Sequence, residues 1–348
     1  MKKARVFWIS ITLLALFIAY LYPASLGQHF IASSKVDNQN QLVEPAEIVK
    51  KEDPKTHTIL LVGDLMLDRG VELRVRRNKG DWSFPYEKIM AEVQDADIAF
   101  ANLEGVPSDI GRDTGKKYSF RFDPASIFGL RKAGFDIVSL ANNHTLDWGR
   151  NALCDGMNRL SDAGIATIGA GCNQNQAEKP HITNLDETKI AWLAFTEFYQ
   201  SANATIDRPG LSLFTKENME RSIRTAEENA DLVFVSMHWG VEYESEPTVE
   251  QRRLAHELID AGADIIIGHH PHVEQEIEKY KGGYIIYSLG NFIFDQYHRA
   301  DTMRGIIVWV HVQSGKIMDL QKAQIKLNEN YQPRIDQIEM EQQEQTKE

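Results

Sequence analysis

The residues best suited to chemistry recur at one kind of place in this chain, just past a short apolar run. In chain order those places hold Asp64, then Asn102 and Glu104, then Asn142, Asn143 and His144, then His238, and finally His269, His270 and His272. Carboxylate, amide oxygen and imidazole together suit a borderline divalent ion such as Mn, Zn or Fe. A carboxylate can bridge two such ions, and a pair about 3.5–4 Å apart clamps the attacking and leaving oxygens of a displacement at phosphorus or carbon. His270-Pro271-His272 puts two imidazoles on a short extended turn whose backbone Pro271 restricts. Binding needs neutral imidazole and ionised carboxylate, so affinity is expected to fall below about pH 6. Singly, each residue has an ordinary explanation. An Asp after a strand is commonly a cap or turn residue, Asn-Asn suits a left-handed turn, and a His beside Trp239 suits a hydrogen-bonded interior. The agreement of five strand ends carries the metal reading.

The elements that must position these groups follow a cadence. Apolar runs at 56–64, 95–105, 134–144, 230–240, 263–272 and 283–292 have the length and β-branched content of strands buried on both faces. Helix-like stretches at 86–94, 124–133, 150–163, 216–229 and 248–261 separate them. Strand–helix alternation predicts an α/β fold. The stretches 180–198 and 303–327 alternate apolar and polar residues, which predicts antiparallel strands and hence mixed β-sheets flanked by helices. In such sheets ligands bind at the carboxyl ends of the strands, where these donors lie.

The same residues carry a resemblance. Asp64, Asn102-Leu103-Glu104-Gly105, Ala141-Asn142-Asn143-His144, His238-Trp239-Gly240 and Gly268-His269-His270-Pro271-His272 resemble, in that order, the capsule-synthesis CapA family. That family is similar to the calcineurin-like metallophosphoesterases. GDLMLDR (63–69), NHTLDWG (143–149), IGAG (168–171) and SLGNFIFD (288–295) extend the match over about residues 58–300. The resemblance implies a calcineurin-like layered sandwich with Asp64, Glu104, Asn143, His238, His270 and His272 as metal ligands and His144 as the catalytic residue. One position would use Glu104, Asn143, His238 and His270, and the other Asp64, Glu104 and His272. The calcineurin-like pattern opens Asp-x-His, whereas this chain has Asp64-Leu65-Met66, so the second position is one ligand short. One ion or two both remain open. Arg69, Asn102, Arg121, His269 and Asn291 are the candidate substrate contacts, Asp147 either orients His144 or caps the following helix, and Glu242 and Glu244 read as solvated loop charges.

The remainder sets location and excludes some functions. Lys2, Lys3 and Arg5 make residues 1–5 a basic, cytoplasmic end. Residues 6–23 form a candidate transmembrane signal-anchor, whose most apolar part would span roughly 26 Å as a helix. The basic end directs everything beyond it outside, with 24–56 as a linker, 57–330 as the folded domain and 331–348 as a flexible acidic tail. With 38 basic and 50 acidic residues the net charge is −12. That disfavours nucleic acid as a partner and requires any anionic polymer to be held locally. Two cysteines exclude a disulfide framework. Cys154 shares a helical stretch with Leu153, Met157 and Leu160, which predicts two separate buried thiols rather than a Cys154–Cys172 bond. Three functions follow. The first is a membrane-anchored subunit of poly-γ-glutamate capsule biosynthesis, working with the capsule synthase subunits on an anionic polymer or phosphorylated substrate. The second is a metal-dependent phosphoesterase or polymer amidase at the cell surface, and the third a degenerate, non-catalytic scaffold.

Overall fold

The computed structural model describes residues 54–340. The basic end, the anchor, nearly all of the linker and residues 341–348 lie outside the described residues. Among the described residues no helix is long and apolar enough to cross a membrane.

The chain begins as β1 (His57–Leu65), α1 (Arg69–Arg77), α2 (Met90–Gln94), β2 (Ile98–Leu103), α3 (Ser126–Ala133), β3 (Ile137–Ser139), α4 (Gly149–Asp162) and β4 (Ala166–Ile168). It continues as β5 (Ala170–Gly171), α5 (Gln174–Glu178), β6 (His181–Leu185), β7 (Thr188–Thr196), β8 (Gly210–Leu211), α6 (Lys216–Glu227), β9 (Leu232–His238), α7 (Val249–Asp260) and β10 (Ile265–His269). It closes with β11 (Ile277–Tyr280), β12 (Gly283–Ile286), β13 (Asn291–Ile293), β14 (Arg304–Gln313), β15 (Lys316–Leu327) and β16 (Pro333–Met340). The first sheet runs β16-β15-β14-β1-β2-β3-β4, with β13 pairing the end of β1. The second runs β11-β12-β10-β9-β7-β6. Both are mixed: β1 to β4 are parallel while β14 lies antiparallel to β1. Likewise β7, β9, β10 and β12 are parallel with antiparallel β6 and β11 at the edges.

Side chains alternate across a strand with period two, and here both faces are apolar. Ile59 and Leu61 of β1 join Phe100, Trp192, Phe234, Ile265 and Ile267 in a core between the two sheets. Leu60 and Val62 face the other way, into a core covered by α1, α3 and α4. Val233, Val235 and Met237 of β9 pack outward against Ile223 of α6 and Leu254 and Leu258 of α7. The result is a helix–sheet–sheet–helix sandwich. The expected strand–helix alternation and the two antiparallel stretches all appear.

Two expectations are corrected. The residues read as a flexible tail from 331 instead begin an edge strand: β16 pairs with β15, Ile335 opposite Ile325, and Tyr331 and Gln332 are buried. A register shift at this pair, between Gln324 and Ile325, breaks the alternation that would have marked the strand. Cys154 and Cys172 form a disulfide, with Cα atoms 5.6 Å apart. Cys154 is only half-buried. It lies at the margin of the apolar face of α4 rather than within it, where the segment after β5 reaches it.

Candidate metal centre

The two sheets end together. Asp64 of β1 is in register with Asn102 of β2, and His238 of β9 with His269 of β10. Close packing makes the join: a Cβ on Gly63 would lie 1.9 Å from the Gly290 carbonyl oxygen, and that same carbonyl accepts from the Asp64 amide. β1 loses register with β2 between Leu61 and Asp64, an irregularity of the kind that re-aims side chains beside active sites. The His270 amide then donates to Asp64 Oδ2 across the two sheets (3.3 Å).

Around this join the predicted donors converge. Asp64, Glu104 and His272 present ligand atoms all within 4.8 Å of one another. His238 Nε2 lies 3.0 Å from Asn143 Oδ1, and the rings of His238 and His270 are 4.9 Å apart. Two ligands about 2.1 Å from one ion and at right angles lie roughly 3 Å apart, the spacing of His238 Nε2 and Asn143 Oδ1. The hydrogen-bond inventory agrees. Asn102 Nδ2 faces Asp64 Oδ1 (2.8 Å), His238 Nδ1 (3.3 Å) and Glu104 Oε1 (3.4 Å). Glu104 Oε2 and His270 Nδ1 are buried without a hydrogen-bond partner. A concentration of unsatisfied acceptors is costly unless a cation completes it.

Electrostatics tell the same story. Burial, opposed by His272 but reinforced by the charge of Asp64, holds the Glu104 carboxyl well above the usual range. Burial also works against the charge of Asp64, but contacts with His269 and His272 outweigh it and hold Asp64 well below the usual range. Asp64 is the ionised member and His272 its partner: burial opposes the imidazolium, yet Glu104 and Asp64 raise His272 to about 9. Burial keeps His238 well below its ordinary value and His270 at about 3. Phe198, its ring 4.3 Å from that of His270 and 5.8 Å from that of His238, covers both neutral imidazoles.

Other predicted residues fall into different positions. His144 lines a cleft of about 390 Å³ together with Arg69, Phe120, Glu242, Tyr243 and His272. Its Nδ1 meets Asp147 Oδ2 at 2.7 Å and its ring lies against Phe120 at 4.1 Å, leaving Nε2 as the free ring position. Arg69 is on the cleft wall, 4.6 Å over Phe120 and paired with Asp295. Asn102, His269 and Asn291 are enclosed rather than lining the cleft. Asn102 organises the acceptors described above. Asn291 Oδ1 lies 3.0 Å from His272 Nδ1, the contact that orients a ligand imidazole. His269 Nδ1 lies 3.2 Å from Asp64 Oδ1, in ion-pair range but outside hydrogen-bond geometry. Arg121 points elsewhere, 3.7 Å over Trp148 and into a separate cleft. In an extended segment neighbours face opposite ways, and Phe120 takes the side toward His144. The sequence reading passed over Phe120, Phe198 and Lys116. Lys116 Nζ lies 2.8 Å from Asp147 Oδ1, and only distance in the chain hid it.

Paired mixed sheets with helices outside and a donor cluster at their joined carboxyl ends define the calcineurin-like class of fold. A phosphatase from Mycoplasma pneumoniae superposes with a TM-score of 0.51 at 13% identity, over 80% of this chain and 96% of that one. That likeness establishes the shared architecture. The chain itself belongs to the family of the bacterial capsule synthesis protein PGA_cap, whose model matches residues 58–296. It is 33% identical to the capsule biosynthesis protein CapA of Bacillus anthracis, over 79% of this chain and 72% of that protein. It is also 33% identical to the PGA biosynthesis protein CapA of Bacillus subtilis, over 71% and 67% respectively. A probable polyglutamine synthesis accessory protein of Mycobacterium tuberculosis is 28% identical, over 70% and 76%.

Proposed function

We propose that this chain serves poly-γ-glutamate capsule synthesis at the outer face of the cell membrane, as a subunit whose metal centre acts on the polymer or on a phosphorylated intermediate. Family membership and the capsule and PGA biosynthesis roles of the Bacillus relatives support the pathway. The Cys154–Cys172 bond supports an oxidising compartment, in keeping with residues 6–23 as an anchor and the membrane synthase subunits as partners. The observation that carries a chemical role is the convergence of oxygen and imidazole donors from two sheets beside a cleft that holds His144.

A divalent ion held by Asp64, Glu104, Asn143, His238, His270 and His272 would supply Lewis acidity toward a phosphoryl or carbonyl oxygen. The protein groups supply the rest. Asp147 fixes the His144 tautomer, and Phe120 fixes the ring plane. Burial lowers the His144 pKa against the pull of Asp147, so the neutral ring accepts a proton at Nε2 and donates it once charged. Arg69, its fork held by Asp295, offers positive charge on the cleft wall of an otherwise acidic protein.

A scaffold role is the second reading, and Met66 favours it. This buried thioether stands where the calcineurin-like pattern has a ligand, and its sulfur faces the Asp68 amide at 3.2 Å. Complementation separates the two. In a strain deleted for the gene, the wild-type chain is expected to restore surface polymer while His144→Ala and His270→Ala fail at equal protein abundance. Restoration by both variants would instead establish the scaffold role. A model phosphodiester assay on the purified full chain then decides whether the bond cleaved is a phosphoester.

A further inference from the structure

A carboxylate outside the strand-end set lies within ligand range of the centre. Glu242 sits on the loop between β9 and α7, is exposed to the cleft, and presents an oxygen within 4.8 Å of ligand nitrogens of both His270 and His272. We propose that Glu242 is a metal ligand, joining His270 and His272 on the solvent side of the centre. This rests on the metal-centre reading above and adds to it a ligand from a loop, on the solvent side.

Three observations carry it. First, the shell is closed on one side only. Asp64, Glu104 and His272 are all buried and form the floor, while Glu242 stands on the open side of the same imidazole. Second, the loop is tied to the ligand turn. The Tyr243 amide donates to the Pro271 carbonyl (2.8 Å), Gln275 Nε2 donates to the Glu244 carbonyl (2.9 Å), and the Gly240 amide donates to Glu197 Oε1 (2.7 Å). The carboxylate is thus delivered from a fixed backbone between two of its anchor points. Third, buried ligand atoms at the centre are left over. His270, within ligand range of Glu242, keeps a buried Nδ1 without a hydrogen-bond partner, so this imidazole is not satisfied by the protein alone. Backbone conformation is consistent with this. Tyr243, His270 and His272 are non-glycine residues at φ of 70°, 99° and 60°, a strain retained only where the surroundings over-determine the geometry.

The chemistry is also suitable. A carboxylate is a better donor than a thioether for a borderline or hard ion, so Glu242 offers the centre a ligand type that Met66 does not. An exposed ligand is also the one an incoming anionic substrate displaces most readily, because it leaves into solvent rather than into the core.

The test is metal stoichiometry and affinity on the full chain in detergent, loaded with manganese chloride or zinc chloride and dialysed. The wild type is expected to retain two ions, and Glu242→Gln one, with the affinity of the weaker position reduced at least about tenfold. Glu244→Gln, two residues away on the same loop, is expected to retain both. Thermal midpoints of the metal-free proteins should agree, because Glu242 is exposed. Two ions at wild-type affinity in Glu242→Gln would overturn the ligand role. A wild type that holds no ion would overturn the metal-centre reading itself, an outcome recognisable before any variant is made.

Discussion

The two sheets bring unlike halves to one centre. The first ends in oxygen donors, Asp64, Asn102, Glu104 and Asn143, and the second in nitrogen donors, His238, His269, His270 and His272. On the oxygen side Asp64, Asn102 and Glu104 are fully buried, and burial and the charge of Asp64 hold Glu104 well above its usual range while Asp64 stays ionised. On the nitrogen side burial strips charge from His238 and His270 but leaves His272 cationic against Asp64. Neither half is a binding site alone, since carboxylates crowd one and bare imidazoles the other. The centre is therefore a property of how the sheets pack, and perturbing each half separately tests that.

The largest effect is expected from separating the halves. Trp192 of β7 stacks on Phe100 of β2 with ring centroids 5.5 Å apart, so Trp192→Ala should cost about 3–5 kcal/mol of stability, read from denaturant unfolding. Next comes the oxygen side. Asp64→Asn leaves His272 and the His270 amide facing a neutral group, and bound metal in the purified full chain should fall more than roughly 100-fold in affinity. Retention at wild-type affinity would remove Asp64 from the ligand set. The third measurement joins the halves through pH. His272, raised to about 9, holds a proton at pH 7 that a metal must displace. Affinity should therefore rise with pH up to about 9, and calorimetry in buffers of different ionisation enthalpy should show proton release on binding. A flat profile would mean that His272 is not a ligand. Smaller still, Asp147→Asn should leave metal content unchanged but shift the His144 tautomer, visible by nitrogen NMR of the ring. The smallest effect is expected for Arg121→Ala, outside the centre, with unchanged metal binding and a stability loss below about 1 kcal/mol, the scale of an exposed cation–π contact.

Much of the fold was legible because strands buried on both faces leave continuous apolar runs, and helices between them leave none. β2, β3, β9, β10 and β12 fall inside such runs, and β1 outruns its own by Leu65 alone. β16 was missed because an edge strand with an irregular register needs few apolar residues, and Ile335 and Ile338 do not alternate. Cys154 was misplaced because Leu153 and Met157 mark the buried face of α4 without fixing where its margin lies. The donors were legible as strand ends, but their roles were not. Asn102, His269 and Asn291 are ligand-type residues enclosed as organisers, and Arg121 is a cation turned the wrong way by the alternation of an extended segment. Glu242 sits in a loop where charges are ordinary, and long-range hydrogen bonds such as that from Tyr243 to Pro271 set it beside the imidazoles.

Sequence alone determined the layered α/β architecture, the family, and the list of donors, because each of these is written in local pattern: period-two burial, strand-end position and residue type. Tertiary structure decided which donors meet, which are orphaned, which carry charge, and that the two cysteines are joined. Those properties depend on distances between segments far apart in the chain and on the dielectric around them. Neither is fixed until the second sheet closes over the first.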